Sequence, residues 1–142
     1  MKIARIFFAM PAATATALVL ALATGCRTVD VSSRGTGDMR AVYQYGEFGM
    51  LLNGTAPAAA AAAEAAIKEL DLYAVSKKLD TYDAELAART RKDQKVTIAI
   101  NEVNSRQTMI RIRVGTTGDL AISRQIYDAV ERHMTTGETP AR

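Results

Sequence analysis

From residue 84 to residue 114, apolar and polar side chains trade places with a period of two. Ala84, Leu86 and Ala88 alternate with Glu85, Ala87 and Arg89; Val96, Ile98 and Ile100 with Thr97, Ala99 and Asn101; Ile110, Ile112 and Val114 with Met109, Arg111 and Arg113. That rhythm predicts antiparallel strands with one face covered and the other wet. A turn centred on Asp93 sets Ala88 against Ile98 and Leu86 against Ile100. One centred on Ser105 sets Ile98 against Ile112 and Ile100 against Ile110. Both registers keep apolar opposite apolar, as a sheet covered on one face requires. The strands form a meander, preceded by a weaker strand signal from Val75 to Leu79.

Helical spacing flanks this block. Between Ala58 and Leu70, Ile67 and Leu70 share a stripe with Ala59, Ala63 and Ala66, and Pro57 suits the first turn. A second helix, about Leu120 to Met134, aligns Ile122, Ile126, Ala129, Val130 and Met134, with Asp119 placed to cap it. Ahead of the first helix, Val42 to Leu51 is rich in β formers but interrupted by Gly46 and Gly49. Its apolar parity shifts from Tyr43/Tyr45 to Phe48/Met50, which predicts one strand with a bulge near a glycine. The fold class is α+β: an antiparallel sheet, β-α-β-β-β-β-α along the chain, with two helices packed on one face.

The N-terminus has a different pattern. Lys2 and Arg5 precede a run from Ile6 to Ala23 without charge, closing on Ala23-Thr24-Gly25-Cys26. Pro11 and the small residues 12–16 dilute the run, so it reads as a cleaved signal rather than a permanent span. The ending resembles the lipobox of a bacterial lipoprotein signal peptide, in which the chain is cut before a cysteine that carries lipid. Residues 1–25 are then the signal and Cys26 the lipidation site. A lone cysteine in an oxidising compartment fits that use. Arg27, where an Asp would retain such a protein in the inner membrane, implies outer-membrane delivery facing the periplasm. Ala21-Leu22-Ala23 also reads as an ordinary signal cleavage site, which would release a soluble periplasmic protein.

Removing Lys2 and Arg5 leaves sixteen basic against fifteen acidic residues, so the mature charge is near +1. Bulk charge therefore gives no case for nucleic acid. The single cysteine excludes an internal disulfide. Residues 26–40, rich in Ser, Gly and scattered charge, read as a flexible tether reaching roughly 20 Å. Residues 41–134 form one domain and 135–142 a frayed tail.

Several segments resemble a family of small bacterial lipoproteins known only as a domain of unknown function. They are Tyr45-Gly46-Glu47, the alanine-rich helix ending Glu69-Leu70, Ala88-Arg89-Thr90 before a Lys-Val strand, and Ile112-Arg113-Val114-Gly115 followed by Gly118-Asp119, Ser123 and Ile126. Asp93-Gln94 departs from the Asp-Gly often found in that hairpin. The resemblance implies a lipoprotein and this fold; it carries no activity.

The chemistry is sparse. His133 is the only histidine, Ser123 lacks a nucleophile-elbow context, and residues 115–118 lack the lysine and length of a phosphate loop. No metal-ligand spacing, cofactor motif or catalytic constellation is present, so the chain reads as a non-enzymatic envelope protein. Gly115 and Gly118 let the chain reverse, Asp119 caps the helix, and Arg113 is placed to pair with Asp119. Asp119 also occupies the helix terminus that would otherwise attract an anion. On the uncovered sheet face Arg89 is expected opposite Thr97 and Thr97 opposite Arg113, with Ala87, Ala99 and Arg111 in the next row. Arg89, Arg111 and Arg113 are the candidate anion-binding residues, for a lipid headgroup, lipopolysaccharide or cell-wall polymer. A solvated face needs similar charges. The other expected partners are the membrane, through the N-terminal lipid, and an envelope protein.

Overall fold

The computed structural model describes residues 27–30 and 40–137. Along the chain come β1 (Arg27–Asp30), β2 (Arg40–Gln44), β3 (Glu47–Asn53), α1 (Ala56–Glu69), β4 (Tyr73–Leu79), β5 (Asp83–Arg89), β6 (Lys95–Asn104), β7 (Gln107–Val114) and α2 (Leu120–Gly137). The strands make one sheet in the order β1-β2-β3-β7-β6-β5-β4, with every neighbouring pair antiparallel. The class is α+β, as the alternation implied. The meander is β4 to β7, and β3 lies against β7.

Three differences from the sequence pattern have physical causes. The parity shift after Tyr45 marks a two-residue hairpin between β2 and β3, not a bulge. Tyr45 (φ 51°) and Gly46 (φ 77°) are both left-handed, the backbone of a tight turn matched to strand twist. The β5–β6 register is displaced by two residues, so Ala88 faces Val96 and Leu86 faces Ile98. There the Asp93 N–H donates to the Thr90 carbonyl at 2.9 Å and Asp93 takes φ 61°, which centres the turn one residue earlier than expected. Because the slip is even, the apolar side stays covered. Residues 27–30, expected within a tether, instead pair with β2 from Arg27↔Tyr43 to Asp30↔Arg40. The β6–β7 register agrees with expectation at Ile98↔Ile112 and Ile100↔Ile110. Cys26, the signal segment and residues 138–142 lie outside the described residues; α2 extends past Met134 to Gly137.

The covered face carries Phe48, Met50, Leu86, Ile98, Ile100, Ile110 and Ile112, all at most 2% exposed. Above β4, β5 and β6 lies α1, meeting them through Ala59, Ala60, Ala63, Ala66 and Ile67; above β3 and β7 lies α2, through Ile126, Tyr127, Ala129 and Val130. Methyl side chains let a helix approach a sheet closely while costing nothing in helix propensity. Phe48 and Tyr127 join the layers with ring centroids 5.5 Å apart and tilted by 56°. Thr55 makes no side-chain cap for α1; Glu102 on β6 supplies it, accepting the Ala56 N–H at 3.1 Å. At its far end α1 stops without glycine. Asp71 turns left-handed (φ 52°) while Leu72 N–H returns to the Ile67 carbonyl at 2.9 Å. Strand β4 is exposed at every position, and its pairing with β5 skips Val75, a bulge on one of the sheet's two edges.

Candidate anion-binding face

The face away from the helices is built from the alternate residues of each strand. Its rows follow from the pairing. One runs Ser76, Ala87, Thr97, Arg113, Glu47, Gln44; the next runs Lys78, Glu85, Ala99, Arg111, Gly49, Val42. Arg111 and Arg113 are thus two positions apart on β7 and both exposed, as expected. Arg89 is not in their rows. The register slip places it opposite Lys95 and Tyr73, and its Nη1 bonds Asp93 Oδ1 at 2.7 Å. Glu85 takes the place expected for Ala87 in the Ala99–Arg111 row, and Glu47 sits opposite Arg113. The face mixes acids with its cations.

Around Arg111 and Arg113 the surface sinks into a groove of about 590 Å³. Gly49 leaves its floor without a side chain, and Val42, Leu51 and Met109 give it apolar walls. Arg40, Arg111 and Arg113 supply cations and Glu47 one carboxylate. Arg113 Nη2 donates to the Thr116 carbonyl at 3.1 Å, whereas Arg111 has no side-chain partner among the described residues. Cation beside apolar wall is chemistry suited to an amphiphilic anion.

The turn residues do structural work. Gly115 (φ 69°) and Gly118 (φ 86°) reverse the chain between β7 and α2, and Asp119 Oδ1 accepts the Ile122 N–H at 3.0 Å. Arg113 bonds the loop carbonyl rather than Asp119, correcting the expected pair. A Cβ on Gly118 would stand 2.2 Å from the Gly46 Cα, and one on Gly46 would stand 2.3 Å from the Thr117 carbonyl oxygen. Two segments that the sequence singled out separately therefore touch backbone to backbone.

His133 Nε2 lies 2.7 Å from Glu69 Oε2, and Arg132 Nη2 lies 2.6 Å from Glu69 Oε1. The Arg132 hydrogen bond, then that of His133, holds the Glu69 carboxyl below its ordinary range. This cluster ties α1 to α2. Among the described residues there is no group of three or more His, Cys, Asp or Glu that could hold a metal, and no helix is long and apolar enough to cross a membrane. Sequence reasoning missed Glu102, whose capping role spans two distant elements and has no local signal. Ser123, part of the segment that resembles the family, is buried, and its Oγ has no hydrogen-bond partner among the described residues. The Tyr127 hydroxyl lies 3.3 Å from Glu131 Oε1, an i,i+4 pair on one helix face.

A two-layer α+β domain with a mixed-charge, grooved open face is thus the class of protein. Residues 9–133 match the family described as "Protein of unknown function (DUF3568)", and the chain belongs to that family. No curated protein matches it.

Proposed function

We propose that this chain is a non-enzymatic lipoprotein of the bacterial cell envelope, held at the outer membrane by acyl groups on Cys26, whose open sheet face binds an anionic amphiphile of the envelope. The observation that carries the binding reading is the groove over Gly49, apolar on its walls and flanked by Arg111 and Arg113. Anchoring is supported by the sequence, where the sole cysteine closes an uncharged apolar run. Two acyl chains hold stably where one does not.

The test has two parts. Membrane fractions of a bacterial host should contain the wild type, and Cys26→Ser should move it to the soluble periplasm. Replacing Arg111 and Arg113 by Ser, with Arg89→Ser as a third change, should abolish salt-sensitive retention on lipopolysaccharide or phosphatidylglycerol vesicles. Gly49→Val, which fills the floor where a Cβ meets only contacts of 3.8 Å or more, should weaken binding with the charges intact. Unchanged retention in both variants rejects the groove. The second reading keeps the same domain but cuts after Ala23; the mass of the mature N-terminal peptide decides between them.

A further inference from the structure

Strand β1 removes the slack from the anchor. Arg27 is paired opposite Tyr43, and Cys26 is the preceding residue of the chain. One residue spans at most about 3.6 Å, against roughly 20 Å for the coil the composition suggested. Residues 31–39 connect β1 to β2 and do not separate the body from its lipid. The end of the sheet next to Arg27 is also fixed by pairing. It bears the Tyr45–Gly46 turn, residues 115–119, the Arg89–Lys95 hairpin and the start of β4.

We propose that this end rests directly on the headgroup layer of the bilayer that holds the protein's own anchor, with anionic lipid as its partner. The inference relies on the anchoring reading given above. Tyr45 at the turn is 82% exposed and Tyr73 at the start of β4 is 67% exposed. Tyrosine, with an apolar ring and a polar tip, concentrates at membrane–water boundaries. Between them Lys92, Lys95 and Arg113 are exposed and have no carboxylate partner among the described residues. Arg89 and Arg91 are balanced by Asp93 and Asp71, each at 2.7 Å, and Glu47 is the remaining acid of this end beside the capping Asp119. Long basic side chains lie along an interface with their charge among the phosphates. The opposite end also exposes an aromatic ring, Tyr82, but sets it beside Asp80, which Lys78 balances at 3.5 Å, and beside Asp83, whose carboxylate accepts from Asn101 and repels anionic headgroups.

The experiment uses the full chain matured in a bacterial host and reconstituted in vesicles containing phosphatidylglycerol. Thr116→Cys at the proposed contact end and Ser105→Cys at the other are labelled separately with an environment-sensitive fluorophore, Cys26 being blocked by acylation. Brominated lipid should quench the label at 116 several-fold more than that at 105, and aqueous iodide should do the reverse. Changing Tyr45, Lys92 and Lys95 together to Ser should bring the two positions closer in quenching without altering the circular dichroism. Equal quenching of both labels on a chain whose mass shows acylation overturns the docking but leaves the anchor standing. A chain without acyl groups overturns both.

Discussion

A side chain on Gly118 would need the space the Gly46 backbone fills, one on Gly46 would need the space of the Thr117 carbonyl, and both glycines hold positive φ. Alanine at either should cost about 3 kcal/mol or more, since backbone rather than a movable side chain must yield. Alanine at Gly115, with φ 69° but nothing within 4 Å, should cost only about 1 kcal/mol. Urea unfolding of the three variants checks the ranking. Glu69 gives a pH-dependent counterpart. Its carboxyl is held below the ordinary 4.5, so the folded state favours the ionised form. The stability this adds is present above that ordinary value and is lost as pH falls through the lower folded value. The midpoint difference between wild type and Glu69→Gln should therefore stand near neutrality and shrink on acidification, as thermal melts at a series of pH values would report. At this scale the sequence shows which residues can turn a chain. It cannot show which two turns meet, because that depends on a strand order that local pattern does not encode.

Elements were legible where periodicity was strong. Ile98, Ile100, Ile110 and Ile112 placed β6 against β7 correctly because a parity error would have exposed all four. The β5–β6 slip escaped because a shift of two keeps every apolar residue on the covered side, and only turn geometry at Asp93 decides it. The β2–β3 hairpin was hidden because Tyr45 gave no glycine signal for its own left-handed backbone. For α1, the cap comes from Glu102 across the layers. Glu102→Ala should destabilise the domain by about 1 kcal/mol, seen as a lower urea midpoint with the slope unchanged. Thr55→Asp should restore part of that loss, as an acid at the start of a helix accepts its free amides.

Over the whole molecule, half of the candidate site could be read in advance. Arg111 and Arg113 share a strand and a parity, so their common face followed from alternation alone. The groove did not, because it depends on Gly49 lying between Val42 and Arg111 on strands whose adjacency was unknown. Strand β1, only Arg-Thr-Val-Asp, is too short to show an alternation of its own, and the Ser, Gly and charge that follow it read as a loop. The bulge at Val75 bears on how copies behave in a crowd. A sheet edge grows when a newcomer finds an uninterrupted ladder, and here the ladder breaks at Val75, with Lys77 and Lys78 directed to opposite faces just beyond it. Deleting Val75 would restore even alternation, and the variant should elute as higher oligomers while retaining its helix content by circular dichroism. Wherever copies of the chain crowd together, this irregular margin keeps edge-to-edge encounters along β4 from templating a fibre.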